Sequence, residues 1–460
     1  MNNHGAFPEP PPGCPAHNSG RRVPMYGPEF AADPQAFYTH MRHYGTTAPV
    51  ELAPGVDATL VTDYSAALQL LQNPDTFRKD SRRWRDLNEG KVAPNNPVLP
   101  MLAYRPNALF TDGAEHMRLR QAVTDSLAGV DAHWLSRQVE RVSSFLISQF
   151  SALGEADLLN DYAKMLPLLV FNELFGCSPS IGDRLAYGTS GIFDASMDAE
   201  KANEELSQAL IELVALKRRQ PGDDVTSRLM AHPAKLSDEE MIHQLVMLIS
   251  AGTEPQRNLI ANGLYLLLCD EKHAGGHQAG GLLVEDVIDD VLWNSPPMAN
   301  YAPHYPVCDV DLGGNVLKAG DLVLISFAAA NTDPTLSSAR QVLSKRAHLA
   351  WSAGPHACPA KDSAQLIAVG AIENLLNQLP DVELAVPVES LTWRPGPFHR
   401  ALTSLPARFA PVRARQAPTM AATAPAAGAA TTAGATPQPR PHAKPQRNSM
   451  WSSFLSWWKS

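Results

Sequence analysis

The chain has 460 residues, 44% hydrophobic and 18% charged, which is enough to bury a large core. The formal net charge of −9 argues against nucleic-acid binding, and five scattered cysteines without a Cys-x-x-Cys pair indicate neither a zinc site nor a disulfide framework. No signal sequence and no long apolar run is visible, so we expect a cytoplasmic protein.

Composition divides the chain into four segments. Residues 1–24 form a Pro-rich, flexible N-terminus, and residues 25–415 carry the helical and strand patterns of a folded body. Residues 416–448 form an Ala/Pro/Thr linker that is expected to be disordered. In residues 449–460, aromatic side chains at helical spacing predict a short helix that binds a membrane surface, a signalling partner or the chain's own body. The alternative is a tag-like end without a role.

The first half of the body is mainly helical. Asp33 before Pro34 is typical of a helix start, and Gly45 ends that helix. Residues 50–62 predict a hairpin of two short strands. Further helices are predicted at 63–73, 114–128, 131–152, 159–175 and 199–219.

The second half contains one unusually long helix, predicted at 237–269. At 1.5 Å per residue it is roughly 50 Å long, and it is apolar on nearly every face, so it is expected to run through the centre. Strands are predicted at 307–311, 315–317 and 322–325. The fold class is therefore mainly α (α+β), with small sheets at one side.

One cysteine has an unusual setting. In the stretch "WSAGPHACPA", Cys358 follows a Gly-Pro-His turn and precedes a proline. A lone cysteine is most often a small buried hydrophobe. Here a helix predicted to begin near Pro359 directs its positive end at the sulfur, which favours the thiolate, the form that binds metals.

The residues around this cysteine resemble the aromatic-x-x-Gly-x-His/Arg-x-Cys-x-Gly haem signature of cytochrome P450 proteins: Trp351, Gly354, His356, Cys358 and Ala360. The resemblance extends over about residues 25–412 and looks closest to soluble actinobacterial members. It implies a cytochrome P450-like fold and haem b (iron protoporphyrin IX) with Cys358 as the axial thiolate. It also implies that His356 contacts a haem propionate.

Three further residues match propionate-binding positions of that family. His116 and Arg120 have the family's His-x-x-x-Arg spacing, and residues four apart share one helix face. Without Cys358, the two would be read as part of a solvated polar face. His304 stands where the family carries an arginine, and histidine can still donate to a carboxylate, more weakly and with pH sensitivity.

The stretch "SAGTEPQ" on the long helix is similar to the family's Ala-Gly-x-Asp/Glu-Thr region, where an acid and an alcohol relay protons. Ala251 then lies against the haem, and Glu254 is the relay acid. Pro255 occupies the alcohol position and is expected to open the helix. Thr253 offers a hydroxyl two residues earlier. The alternative is a kink without a relay role.

The family's Glu-x-x-Arg motif is replaced by Asp290-Val-Leu-Trp293. An indole has one N–H donor and no charge, so Trp293 can at most hydrogen-bond Asp290. A minority of actinobacterial members are similar in lacking this arginine, often in gene neighbourhoods with small-GTPase signalling systems.

The resemblance implies a haem-thiolate monooxygenase that inserts oxygen from O₂ into a small hydrophobic substrate. Electrons would come through a ferredoxin reductase and a ferredoxin, since the chain has no dinucleotide-binding fingerprint. Residues 97–105 and 298–301 are expected to roof the substrate pocket. The alternative is a haem-binding regulatory or interaction protein with reduced turnover, associated with a membrane-linked signalling system through residues 449–460.

Overall fold

The computed structural model describes residues 22–193, 199–269, 283–336 and 343–412. The predicted linker at 416–448 and the predicted tail helix at 449–460 lie outside these residues, as does most of the N-terminal segment. Strand β1, Val23–Pro24, belongs to the main sheet, so the folded body begins slightly before the predicted boundary at residue 25. No helix in the described ranges combines the length and the apolar character needed to cross a membrane.

Helices dominate the body. In chain order they are α1 Pro28–Ala32, α2 Pro34–Met41, α3 Tyr64–Leu71, α4 Arg85–Asn88, α5 Leu99–Leu102, α6 Gly113–Ala128, α7 Ala132–Phe150, α8 Met165–Phe175, α9 Pro179–Phe193, α10 Ala199–Arg219, α11 Val225–Ala231, α12 Asp238–Cys269, α13 Val284–Asn294, α14 Phe327–Asn331 and α15 Lys361–Gln378. A π-helical turn, Leu158–Ala163, leads into α8. The helices predicted from the sequence are therefore present, with ends shifted by a few residues.

The strands form three small sheets at the side of the helices. They are β1 Val23–Pro24, β2 Thr47–Ala53, β3 Val56–Val61, β4 Phe77–Arg78, β5 Glu155–Asp157, β6 Asn300–Pro306, β7 Val310–Leu312, β8 Asn315–Leu317, β9 Val323–Ser326, β10 Glu383–Leu384 and β11 Pro406–Arg408. The largest sheet has the order β1-β2-β3-β9-β6-β4, and the others are β10-β11-β5 and β7-β8. The prediction of a mainly α fold with small peripheral sheets is confirmed.

The sequence pattern did not predict strand β6. The sequence predicted a strand at 307–311, but β6 ends at Pro306 and β7 begins at Val310. Pro303 lies in β6 where the register against β9 shifts, between Tyr301 and His304. Prolines usually argue against a strand and are tolerated at such irregularities, which is why the pattern concealed β6.

Helix α12 is the central element. It packs against α8, α9, α10, α13 and α15, and its residues from Thr253 to Leu264 are buried with the sole exception of Pro255. The expectation that the helix opens at Pro255 is wrong, because α12 continues through this residue. Proline has no backbone N–H, so the turn at Pro255 lacks one hydrogen bond, and packing against several helices stabilises this turn. Gln256 Nε2 adds a hydrogen bond of 2.9 Å to the carbonyl of Ala364 on α15.

Candidate active site

A largely apolar cavity of about 350 Å³ lies beside α12. Its walls include Ala251, Gly252 and Pro255 of α12, and Cys358 from the segment that precedes α15. The segments expected to roof the pocket also contribute: Pro100, Met101, Arg105, Met298 and Tyr301. Cavities of this size and character are typical of small-molecule sites.

Cys358 is held by backbone contacts. Its N–H donates to the carbonyl of Trp351 at 2.8 Å, and its thiol accepts a hydrogen bond from the N–H of Ala360. The preceding turn requires glycine, because Gly354 has φ +68° and a Cβ there would lie 2.2 Å from the carbonyl oxygen of Leu71. This turn fixes where the sulfur meets the cavity.

The charge state of Cys358 differs from the sequence expectation. Burial raises the pKa of the thiol, although the Ala360 N–H, Arg120 and Lys361 all act to lower it. The helix that was expected to begin near Pro359 begins at Lys361. In the protein without a metal the thiol form is therefore favoured, and a coordinated metal ion would deprotonate it.

Five groups that can carry positive charge meet at one side of the cavity: Lys79, His116, Arg120, His304 and His356. The rings of His116 and His356 lie 3.9 Å apart, and Nε2 of His116 is buried without a partner. Burial lowers the pKa of His356, and the other four members of the cluster lower it further. The structure therefore brings together all four predicted propionate residues.

Lys79 is the member of this cluster that the sequence did not indicate. Its side chain is buried, and burial lowers its pKa to about 7 against the opposing effect of Asp112. The Asp112 carboxylate instead accepts the backbone N–H groups of Lys79 and Asp80, at 3.0 and 3.1 Å. Lys79 stands among other basic residues in "FRKDSRR", so nothing in the local sequence distinguishes it.

The relay residues predicted on α12 do not all reach the cavity. Ala251 and Pro255 line it, but Thr253 lies at a separate small pocket beside Phe171 and Phe175. The Thr253 hydroxyl donates to the carbonyl of Ile249 at 2.7 Å. Its position corrects the expectation that Thr253 serves the site, because this hydroxyl is on a different face of α12.

Glu254 is buried and enclosed by cations. Arg394 donates to Oε1, and Arg257 donates to Oε2 at 3.2 Å. Burial acts to raise the pKa of the Glu254 carboxyl, but Arg394, Arg257 and His399 outweigh it and hold the pKa below its ordinary value. Glu254 is thus an ionised group that adjoins the cavity-lining residue Pro255 without lining the cavity itself.

Trp293 occupies the end of α13 as a packing residue. Its indole Nε1 donates to the carbonyl of Lys345 at 2.5 Å. The ring meets His348 edge to face, with centroids 5.8 Å apart. Asp290 accepts a hydrogen bond from Asn294 on the next turn.

Trp293→Arg is expected to destabilise the protein by about 3–5 kcal/mol, because a cation would be buried against a site shaped for an indole. Thermal unfolding of the two proteins checks this. Trp293→Phe serves as the control, since it introduces no charge and keeps an aromatic ring, although it loses the bond to Lys345, worth about 1 kcal/mol, and part of the indole's packing. An arginine variant as stable as the original would show that an ion-pair site persists here.

Comparisons with known proteins give a consistent result, although no protein-family model matches the chain. The chain is 32% identical over 401 residues to the cytochrome P450 monooxygenase PikC of Streptomyces venezuelae, covering 83% of this chain and 92% of the relative. It is similar in structure to CYP154A1 from Streptomyces coelicolor A3(2), with a TM-score of 0.76 and 28% identity over 84% of this chain and 99% of that one. The tirandamycin C-bound P450 monooxygenase TamI matches with a TM-score of 0.74 and 25% identity, over 83% and 99% of the two chains.

Proposed function

The chain belongs to the cytochrome P450 family and is a haem monooxygenase of that family, and we propose that Cys358 is its iron ligand and that its haem is haem b. The observation that carries this proposal is the position of Cys358 on the wall of an apolar cavity beside a cluster of cationic groups. Thiolate ligation is general in this family, and no other described cysteine lines this cavity.

The cluster fits the haem's two propionates. Lys79 is a buried amine with no carboxylate within 4 Å among the described side chains, and His116 Nε2 is a buried nitrogen without a partner. Buried charges and buried polar atoms are costly unless they are paired. Lys79, His116, Arg120, His304 and His356 would therefore hold the propionates, and the apolar walls would enclose the macrocycle.

The haem, when bound, supplies the activation of O₂, and the chain supplies its surroundings. Cys358 would donate a thiolate to the iron. The apolar walls exclude water and give a small hydrophobic substrate its binding surface. On the α12 side, Ala251 and Pro255 place a small and a rigid side chain against the cavity, and Glu254 is the acid that we propose to relay protons.

Movement of a proton through Glu254 requires a change in its contacts. Two guanidinium groups hold its carboxylate ionised, so a proton on Oε1 becomes favourable only when Arg394 withdraws from that oxygen. Arg394 lies next to Trp393, whose ring packs against Arg400 and Tyr265. We propose that Arg394 acts as a positioning residue for this acid.

Ferredoxin is the proposed electron donor, because the chain contains no dinucleotide-binding fingerprint. The substrate is proposed to be a small hydrophobic molecule. TamI, whose structure holds tirandamycin C, has the same fold, and a largely apolar cavity with a few polar groups suits such a molecule.

The function is tested by reconstituting the haem protein with a ferredoxin and its reductase. A panel of hydrophobic compounds is then screened for oxygenated products by mass spectrometry. We expect one or more products that gain oxygen from O₂. Electron consumption without any product would favour the alternative, a haem-binding protein with reduced turnover, for which Pro255 at the alcohol position is the supporting feature.

Lys79→Met is expected to speed haem loss about 10-fold near neutral pH, because one charge-assisted bond to a propionate disappears. In the haem-free protein burial lowers the pKa of Lys79 to about 7, so haem binding above pH 7 must restore a proton. Haem affinity should then fall as pH rises from about 7 to about 9 in the unaltered protein, and fall less in the variant.

Transfer of haem to apomyoglobin measures these rates. The matched control is Lys91→Met, which removes an exposed lysine paired with Glu89 and Asp86. Equal rates in Lys79→Met and Lys91→Met would remove Lys79 from the haem site.

A further inference from the structure

An arginine interrupts the apolar wall of the cavity. Arg105 lies between α5 and α6, is partly buried, and lines the cavity together with Met101 and Tyr301. Its hydrogen-bond partners, Asn203 and Pro100, are not members of the cation cluster near Cys358. The proposed propionate contacts leave this guanidinium unexplained.

Among the described residues, the hydrogen bonds of the Arg105 side chain involve only Nη2. Its Nη2 donates to Asn203 Oδ1 of α10 at 2.7 Å and to the carbonyl of Pro100 at 3.5 Å. A guanidinium has five N–H groups in a planar fork. Two other arginines that are only partly exposed have carboxylate partners: Arg118 is paired with Glu240, and Arg394 with Glu254.

The charge of Arg105 is not neutralised within the described residues. No carboxylate lies within 4 Å of it, and no carboxylate affects its pKa, which burial lowers against a weaker opposing effect of Tyr301. Tyr301 cannot act as the counterion, because burial raises the pKa of its phenol well above its ordinary value and its hydroxyl donates to the carbonyl of Met101 at 2.7 Å. A partly buried cation without an anion is costly, and an anionic ligand would remove that cost.

We propose that Arg105 binds a carboxylate of the substrate, so that the substrate class is an apolar molecule that carries an acid group. The inference rests on the proposed monooxygenase function and names the ligand of the same cavity. A planar guanidinium matches a carboxylate with two parallel hydrogen bonds, which fixes orientation as well as affinity. The remaining walls are apolar and would hold the hydrocarbon part.

Arg105 also connects the segment before α6 to α10 through Asn203, so a structural role must be separated from recognition. A structural role would change the binding of charged and uncharged ligands equally. A recognition role would change the preference between an acid and its ester. The ratio of their dissociation constants therefore distinguishes the two.

The experiment titrates the haem-loaded protein by calorimetry with three acids and their methyl esters: dodecanoic acid, hexadecanoic acid and cholic acid. In the unaltered protein we expect at least one acid to bind about 10-fold or more tightly than its ester. In Arg105→Gln that ratio should approach one, with ester binding nearly unchanged. The control variant is Arg83→Gln, which removes an exposed arginine outside the cavity and should preserve the ratio.

Two results would overturn the inference: no acid preferred over its ester in the unaltered protein, or a preference that survives in Arg105→Gln. The carbonyl spectrum of the same preparations separates this from the proposed function. A thiolate-type spectrum together with either result leaves the monooxygenase assignment intact and removes only the role of Arg105. Absence of that spectrum in the unaltered protein would instead contradict the assignment of Cys358.

Discussion

Cys358→Ala is expected to abolish the thiolate-type carbonyl spectrum and monooxygenase turnover, while the protein still folds. The sulfur is the proposed iron ligand, and alanine offers no donor atom to the metal. Folding should persist because the backbone bond from residue 358 to Trp351 does not depend on the side chain. Part of the haem should still bind, since Lys79, His116 and Arg120 remain available for its propionates.

Circular dichroism, haem content and the carbonyl spectrum of the reduced protein measure these effects. Cys177→Ala is the matched control, because Cys177 is also largely enclosed but lies at the small pocket beside Thr253. Burial raises the pKa of Cys177 to about 12, so it stays a thiol. A thiolate-type spectrum that survives in Cys358→Ala would contradict the assignment, and its loss in Cys177→Ala would indicate Cys177 as the ligand instead.

The elements of the site that the sequence indicated are those with a local pattern. Gly354, His356 and Cys358 lie within five residues, and His116 and Arg120 are one helical turn apart. Local spacing of this kind determines side-chain direction almost alone. Arg120, His356 and Cys358 accordingly line one cavity, and His116 packs against His356 beside it.

Residues that reach the site through tertiary contacts could not be found in this way. Lys79 adjoins strand β4, and it meets His304 because β4 pairs with β6. The position of Arg105 on the cavity wall and its bond to Asn203, 98 positions away, both depend on the tertiary fold. One sequence contains no information on which distant segments pack together, and basic residues are common on solvated surfaces.

The pattern on α12 was informative about the helix and about Ala251, but not about the polar side chains Thr253 and Glu254. Length and apolar composition correctly predicted a central helix. Thr253 and Glu254 were both expected to serve the cavity, but a step of one residue turns a side chain by about 100° around a helix. Their neighbours Ala251, Gly252 and Pro255 line the cavity, and Glu254 instead meets Arg394, 140 positions later in the chain.

Glu254→Gln is expected to lower product formation roughly 10²-fold or more while reduction of the iron persists, because an amide cannot deliver a proton.

The same change leaves Arg394 and Arg257 without their carboxylate, so it should also destabilise the protein by about 3–5 kcal/mol. The stability that this group contributes is present above about pH 4.5, and it is lost as pH falls through the lower pKa of the native state. Glutamine should remove that acid sensitivity.

Arg394→Gln separates the loss of the acid from the loss of the ion pair. This variant keeps the Glu254 carboxylate and its contact with Arg257, but it removes the guanidinium of Arg394 from the ion pair. If Glu254 relays protons, product per electron should fall far less in Arg394→Gln than in Glu254→Gln. The solvent deuterium isotope effect on product formation should rise only in Glu254→Gln, since proton delivery would then become limiting. Equal losses of product and stability in both variants, without a change in the isotope effect, would mean that Glu254 only anchors α12 to the segment that carries Arg394.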